Sequence, residues 1–161
     1  MSFDDARLHL IHEPYVGGCW AACAAMALAA IGAPRDPNDL VAEARAEGWL
    51  DDAGRLDGDA LAALLSRHGV RLTWTEGAPE RLYDMLGEAL DAWPVALVVH
   101  ATRADGPAHV SVAARAPEAG DVRWLDPRLG EAVVPRLSMR GPTPGSALVA
   151  VGALYCSSQA S

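Results

Sequence analysis

The sequence predicts an α+β fold, with a helical first half packed on an antiparallel β-sheet drawn from the second half. Three observations carry this. Between residues 19 and 93, segments of good helix formers place apolar residues at helical spacing and end at glycine or proline. From Pro94 onward the pattern changes to buried or alternating apolar runs separated by turn residues. Helices thus fill the first half and strands the second, and elements segregated in this way indicate α+β.

Residues 1–18 read as an irregular lead-in, because Pro14-Tyr15-Val16-Gly17-Gly18 cannot sit inside a helix. Cys19 to Ile31 is a strong helix stopped by Gly32. It has almost no polar face, so it belongs at the domain's centre. A second helix is expected over Asp39–Glu47, capped by Asn38 or Asp39 and stopped by Gly48. Gly54 to Gly58 is a turn. A third helix is expected over Asp59–His68, with Leu61, Leu64 and Leu65 on one face, then a short strand over Val70–Trp74. Leu82, Met85, Leu86 and Leu90 give Pro79–Trp93 the spacing of a fourth helix. Strands are expected over Pro94–Ala101 and His109–Ala114, as a hairpin over Asp121–Asp126 and Glu131–Val134, and over Ala147–Tyr155.

The chain's 161 residues are expected to form a single domain, residues 1–161, with a helical part over 19–93 and a β part over 94–156. Hydrophobic residues make up 51% and charged residues 21%, which excludes a disordered or fibrous chain. No apolar run is long enough for a membrane span, so no membrane insertion is expected. The acidic start Met1-Ser2-Phe3-Asp4-Asp5 lacks the apolar stretch of a secretory signal. The expected location is cytoplasmic, or exported without a cleaved signal. The formal net charge of -8 disfavours nucleic acid and anionic lipid as partners. All 13 basic residues are arginine. Genome composition explains this, and so does selection against lysine in an effector that must avoid ubiquitin attachment. The three cysteines, Cys19, Cys23 and Cys156, are an odd number, which argues against a disulfide framework.

Gly17-Gly18-Cys19 opening directly into a buried helix carries the chemistry. Cys19 stands at the helix N-terminus, where the macrodipole and unpaired N–H groups favour a thiolate. The glycines let backbone approach closely and leave room for an extended substrate. A thiolate nucleophile needs a base, usually a distant histidine. His109 opens a strand after the loop Ala104-Asp105-Gly106-Pro107-Ala108 and is the best placed of five histidines. Asp126, at the end of the following strand, is the candidate to orient it. Blander readings stand beside these: Cys19 as a buried structural thiol, His109 as a core or capping residue, and Asp126 as the start of a turn before Pro127. Cys23 reads as core, His68 as a helix-end residue and His100 as an alternative base, while His9 has no visible role. No second ligand pair stands at metal spacing. The acidic residues 51–59 lack the pattern of a calcium loop, so neither a metal nor another cofactor is expected.

Cys19-Trp20-Ala21-Ala22-Cys23, His109-Val110-Ser111-Val112 and Asp126-Pro127-Arg128-Leu129-Gly130 together resemble the papain-like cysteine peptidases. The likeness is closest to the bacteriocin-processing, double-glycine leader peptidase branch. It covers roughly residues 12–135. The resemblance implies a papain-like fold and a thiol hydrolase that cleaves a peptide or isopeptide bond. It implies the catalytic residues Cys19, His109 and Asp126, with Gly17, Gly18 and Trp20 along the substrate cleft. The partner implied is a peptide or protein substrate. Two settings suit a chain of this size: peptide maturation, or, with its lack of lysine, the action of an effector or toxin. The family places a glutamine six residues before the nucleophile, where its amide donates to the oxyanion. Here Glu13 stands there, preceded by His12, and a carboxylate anion cannot donate. Losing such a donor costs about 2.7–4 kcal/mol. A Glu13 in its acid form, His12, or a further donor acting with the Cys19 N–H are the substitutes. A catalytically weak or dead module that binds a peptide is the alternative function. So is a thiol acyltransferase or deamidase on the same three residues.

Overall fold

A computed structural model describes residues 3–101, 108–118, 120–135 and 147–156. Among them are four α-helices, α1 (Cys19–Ala30), α2 (Pro37–Ala46), α3 (Gly58–Arg67) and α4 (Pro79–Ala92), and a 3-10 helix over Asp5–Arg7. Six strands are described: β1 (Val70–Glu76), β2 (Val95–Ala101), β3 (His109–Arg115), β4 (Asp121–Asp126), β5 (Gly130–Pro135) and β6 (Ala147–Cys156). They form one sheet in the order β1-β6-β2-β3-β4-β5, and each neighbouring pair runs antiparallel. The α+β class expected from the sequence is the class observed. Residues 104–107 of the loop that precedes His109 and the first two residues of the acidic start lie outside the described residues.

Every residue of α1 is buried. Alanine fills most of it, and small side chains let neighbouring backbones approach on all sides. One side meets β3, and others meet α2 and α3. Strand alternation then divides the core in two. Val95 and Leu97 of β2 join the cluster around α1, whereas Ala96 and Val98 join Leu82, Leu86 and Leu90 of α4 on the opposite face. The molecule therefore has three layers, α1–α3, sheet and α4.

Helix starts follow their caps. The α2 start differs from the expectation: Asp36, not Asn38 or Asp39, is the cap. Its side chain accepts from the Asn38 N–H, and Pro37 takes the first helical position, where its missing N–H costs nothing. Asp57 caps α3 by accepting from the Ala60 N–H. In chemical denaturation, Leu28→Ala is expected to cost about 2–5 kcal/mol because it empties a fully buried site. Asp36→Ala is expected to cost about 1 kcal/mol as a lost cap. Equal losses would mean that α1 is not the tightly packed centre.

Candidate active site

The site forms where the N-terminus of α1 meets the end of the sheet. Gly18 caps α1 without a side-chain hydrogen bond, so no side chain takes up the first N–H groups of the helix, at whose start Cys19 stands. Cys19 is buried, at 7% exposure. One turn on, the Cys23 thiol donates to the Val110 carbonyl at 3.4 Å, linking α1 to β3 beside His109. Burial first, and then the neighbouring Cys19, push the Cys23 thiol well above its ordinary range. Cys156 is also buried, and all three cysteines are free.

The His109 Nε2–H donates to Asp126 Oδ1 at 2.9 Å. Its Nδ1 is buried without a hydrogen-bond partner within the usual limits. A ring nitrogen of His109, the Cys19 sulfur and a Glu13 carboxylate oxygen all lie within 4.8 Å of one another. Since Nε2 is engaged by Asp126, Nδ1 is the nitrogen left to face Cys19. Burial alone would lower the His109 pKa. The hydrogen bond to Asp126 and then the nearby Cys19 outweigh it and raise it to about 9.

Asp126 is held from four directions. Besides His109, its Oδ1 accepts from the Arg128 and Leu129 N–H groups at 2.8 and 2.9 Å, and its Oδ2 accepts from the Ser111 hydroxyl at 3.1 Å. Burial opposes ionisation, but the His109 bond and the two backbone donors hold the carboxyl well below the usual carboxylate range. His100 lies opposite His109 in the β2–β3 register, with its Nε2 3.3 Å from the Ser111 oxygen. Because the Ser111 proton goes to Asp126, His100 is the donor in that contact. Burial and the neighbouring His109 lower its pKa to about 4. The alternative base of the sequence reading therefore sits behind Asp126, in its supporting shell.

Two candidate oxyanion donors are engaged elsewhere. Both Glu13 oxygens accept from Arg128, at 2.9 Å from Nε and 3.4 Å from Nη2. The exposed His12 turns its Nδ1 to the Pro127 carbonyl at 3.3 Å. Of the glycines, Gly17 lines the cleft and has φ +98°, a conformation that suits glycine. A Cβ at Gly18 would meet Pro14 and Tyr15 at 3.2 Å. So the close approach at Gly18 is made by the protein's own chain and not by a substrate. The cleft has a volume of about 460 Å³. Cys19, Trp20 and His109 stand along it, walled by Arg55, Leu56 and Trp74. The Tyr15 hydroxyl and Trp20 indole N–H seat that wall by donating to the Gly54 carbonyl at 2.6 and 3.1 Å.

His68 bonds Glu43 at 2.9 Å at the end of α3, and the exposed His9 bonds the Arg7 carbonyl at 3.0 Å. Asp51 accepts from the Ala53 and Arg55 N–H groups, which makes the acidic stretch a self-bonded turn. Sequence reasoning missed Ser111, Arg128 and the place of His100. Ser111 had a signal, since it stands two residues from His109 and so on the same strand face.

No family model matches the sequence, and no curated protein matches it. Solved structures do. A double glycine motif protease from an AMS/PCAT transporter, solved with its leader peptide, superposes with a TM-score of 0.59 at 16% identity, covering 91% of this chain and 92% of that one. The peptidase domain of Streptococcus ComA, a bi-functional ABC transporter, gives a TM-score of 0.62 at 12% identity, covering 89% of this chain and 97% of that one. The papain-like fold expected from the sequence is the fold these peptidase domains share with this chain.

Two pH effects follow. The His109 pKa is raised above 6.5, so its contribution to stability is complete below 6.5 and is lost as pH rises through about 9. The His100 pKa is lowered, so stability falls as pH drops from 6.5 toward about 4. Thermal melts across pH are expected to show both limbs, and His100→Gln should flatten the acid one. In NMR titrations, Asp126→Asn should move the His109 midpoint from about 9 toward or below 6.5. An unmoved midpoint would contradict the role assigned to the carboxylate.

Proposed function

We propose that this chain is a thiol hydrolase that cleaves a peptide bond through Cys19, His109 and Asp126. The observation that carries this is the placement of Cys19 at the start of a buried helix, within 4.8 Å of an imidazole whose far nitrogen is held by a buried carboxylate. The fold shared with two peptidase domains supports the same reading.

Cys19 gives its thiol proton to His109 Nδ1, and its Sγ attacks the scissile carbonyl. A C–S bond forms, and the carbonyl electron pair moves onto oxygen. The first N–H groups of α1 face that oxygen. The imidazolium of His109 gives its proton to the leaving amine as the C–N bond breaks. Water, deprotonated by His109, then attacks the thioester; the C–S bond breaks, the acid product leaves, and the imidazolium returns its proton to Cys19. Asp126 keeps the Nε2 proton in place, so that Nδ1 is the nitrogen that exchanges protons. One of the two peptidases was solved with a leader peptide. By analogy the substrate is an extended peptide lying along the cleft, with small residues entering beside Cys19. Peptide maturation and the action of an effector or toxin both fit this chemistry.

A second reading rests on Glu13, which stands where an amide donor is expected. On that reading the cleft binds a peptide without cleaving it.

Incubation with leader-type peptides ending in Gly-Gly before a downstream sequence, followed by mass spectrometry, separates the two. Cleavage after the glycines is expected. Cys19→Ala should abolish it, and His109→Ala should lower the rate about 10²–10⁴-fold. The rate should fall as pH rises through about 9, where His109 loses the proton the leaving amine needs. A peptide that binds in the cleft and is recovered intact would favour the second reading.

A further inference from the structure

Glu13 is 11% exposed, and one of its oxygens lies within 4.8 Å of both the Cys19 sulfur and a His109 ring nitrogen. An unaccompanied carboxylate at that distance would repel the negative oxygen that forms when Cys19 adds to a carbonyl. It is accompanied: Arg128 Nε and Nη2 both donate to it. Arg128 also lines the cleft, together with Cys19 and His109, and its guanidinium has more N–H donors than Glu13 can use.

The placement of Arg128 is fixed from both ends. Its backbone N–H donates to Asp126, the carboxylate that holds His109. The neighbouring Pro127 carbonyl accepts from the Glu13 N–H at 3.1 Å, which docks the lead-in against the β4–β5 turn. One turn thus carries Asp126 to the imidazole and Arg128 to Glu13.

We infer that Arg128 is a catalytic residue, whose guanidinium donates to the oxyanion formed at Cys19, and that Glu13 is a positioning residue that aims it. The inference rests on the thiol-hydrolase reading above. The chemical step is unchanged: the carbonyl oxygen takes the electron pair as the C–S bond forms, then returns it as the leaving group departs. Arg128 shares its protons in hydrogen bonds throughout and gives none up. A guanidinium brings a full charge as well as donors, so it offsets the carboxylate that replaces the amide.

The test compares two reactions of Cys19. Acylation by the p-nitrophenyl ester of acetyl-glycyl-glycine passes through an oxyanion and is read as released nitrophenolate. Alkylation by chloroacetamide is a displacement at carbon that forms none. Arg128→Ala is expected to lower acylation relative to alkylation on the order of a hundredfold, with Arg128→Lys losing less. The loss should shrink but persist in a Glu13→Ala background, where no carboxylate needs neutralising and the guanidinium keeps its charge and donors but is no longer aimed. Glu13→Gln should restore acylation to Arg128→Ala by supplying an amide donor. An unchanged ratio in Arg128→Ala, or a loss that disappears in the Glu13→Ala background, overturns the inference and leaves the hydrolase reading standing. A wild-type Cys19 that reacts with neither reagent overturns both.

Discussion

A helix with no polar face has to be covered on every side, and the rest of this structure is arranged to do that. All twelve residues of α1 are buried. The sheet covers one side through β3, and α2 and α3 cover others. The same demand sets the chemistry. The α1–β3 contact, tied by the Cys23 thiol to the Val110 carbonyl, brings the start of the helix to the start of the strand. Cys19 stands at one start and His109 at the other. Their separation follows from how two buried elements pack.

The polar groups at this junction are paired in a chain. Asp126 would be costly to bury alone, but His109, Ser111 and two backbone N–H groups satisfy it. Ser111 in turn accepts from His100, which burial keeps neutral. The charge that remains is one carboxylate facing one imidazole, with the thiol on the imidazole's other side. Glu13 adds a second negative group, and Arg128 balances it. A change at Asp126 therefore reaches the ring, the serine and the turn that carries Arg128.

Much of the fold was legible because single segments speak for themselves. The alanine-rich stretch after Gly17-Gly18 reads as a buried helix from its composition, and the alternation after Pro94 reads as sheet. The candidate residues Cys19, His109 and Asp126 were legible from motif and order, and the structure brings them together. Contacts between distant segments were not legible. Glu13 and Arg128 are 115 residues apart, and nothing local to either names its partner. The cleft glycines were expected to make room for a substrate, whereas Gly18 makes room for Pro14 and Tyr15. The face each helix covers was hidden too. The apolar stripe of α4 resembles that of α3, and only the sheet order sends it to the opposite side.

The claim that Cys19, His109 and Asp126 act as one nucleophilic unit is tested most directly by competitive alkylation of the three cysteines in the folded protein at neutral pH. Limiting iodoacetamide is used, with peptide mapping of each site. Cys19, which lines the cleft, is expected to be labelled first and alone, because Cys23 and Cys156 are more deeply buried, at 0% and 1% exposure against 7%. In His109→Ala, the labelling of Cys19 should slow markedly while the fold is retained. Equal labelling of all three cysteines, or a Cys19 rate indifferent to His109, would show an ordinary buried thiol beside an ordinary histidine.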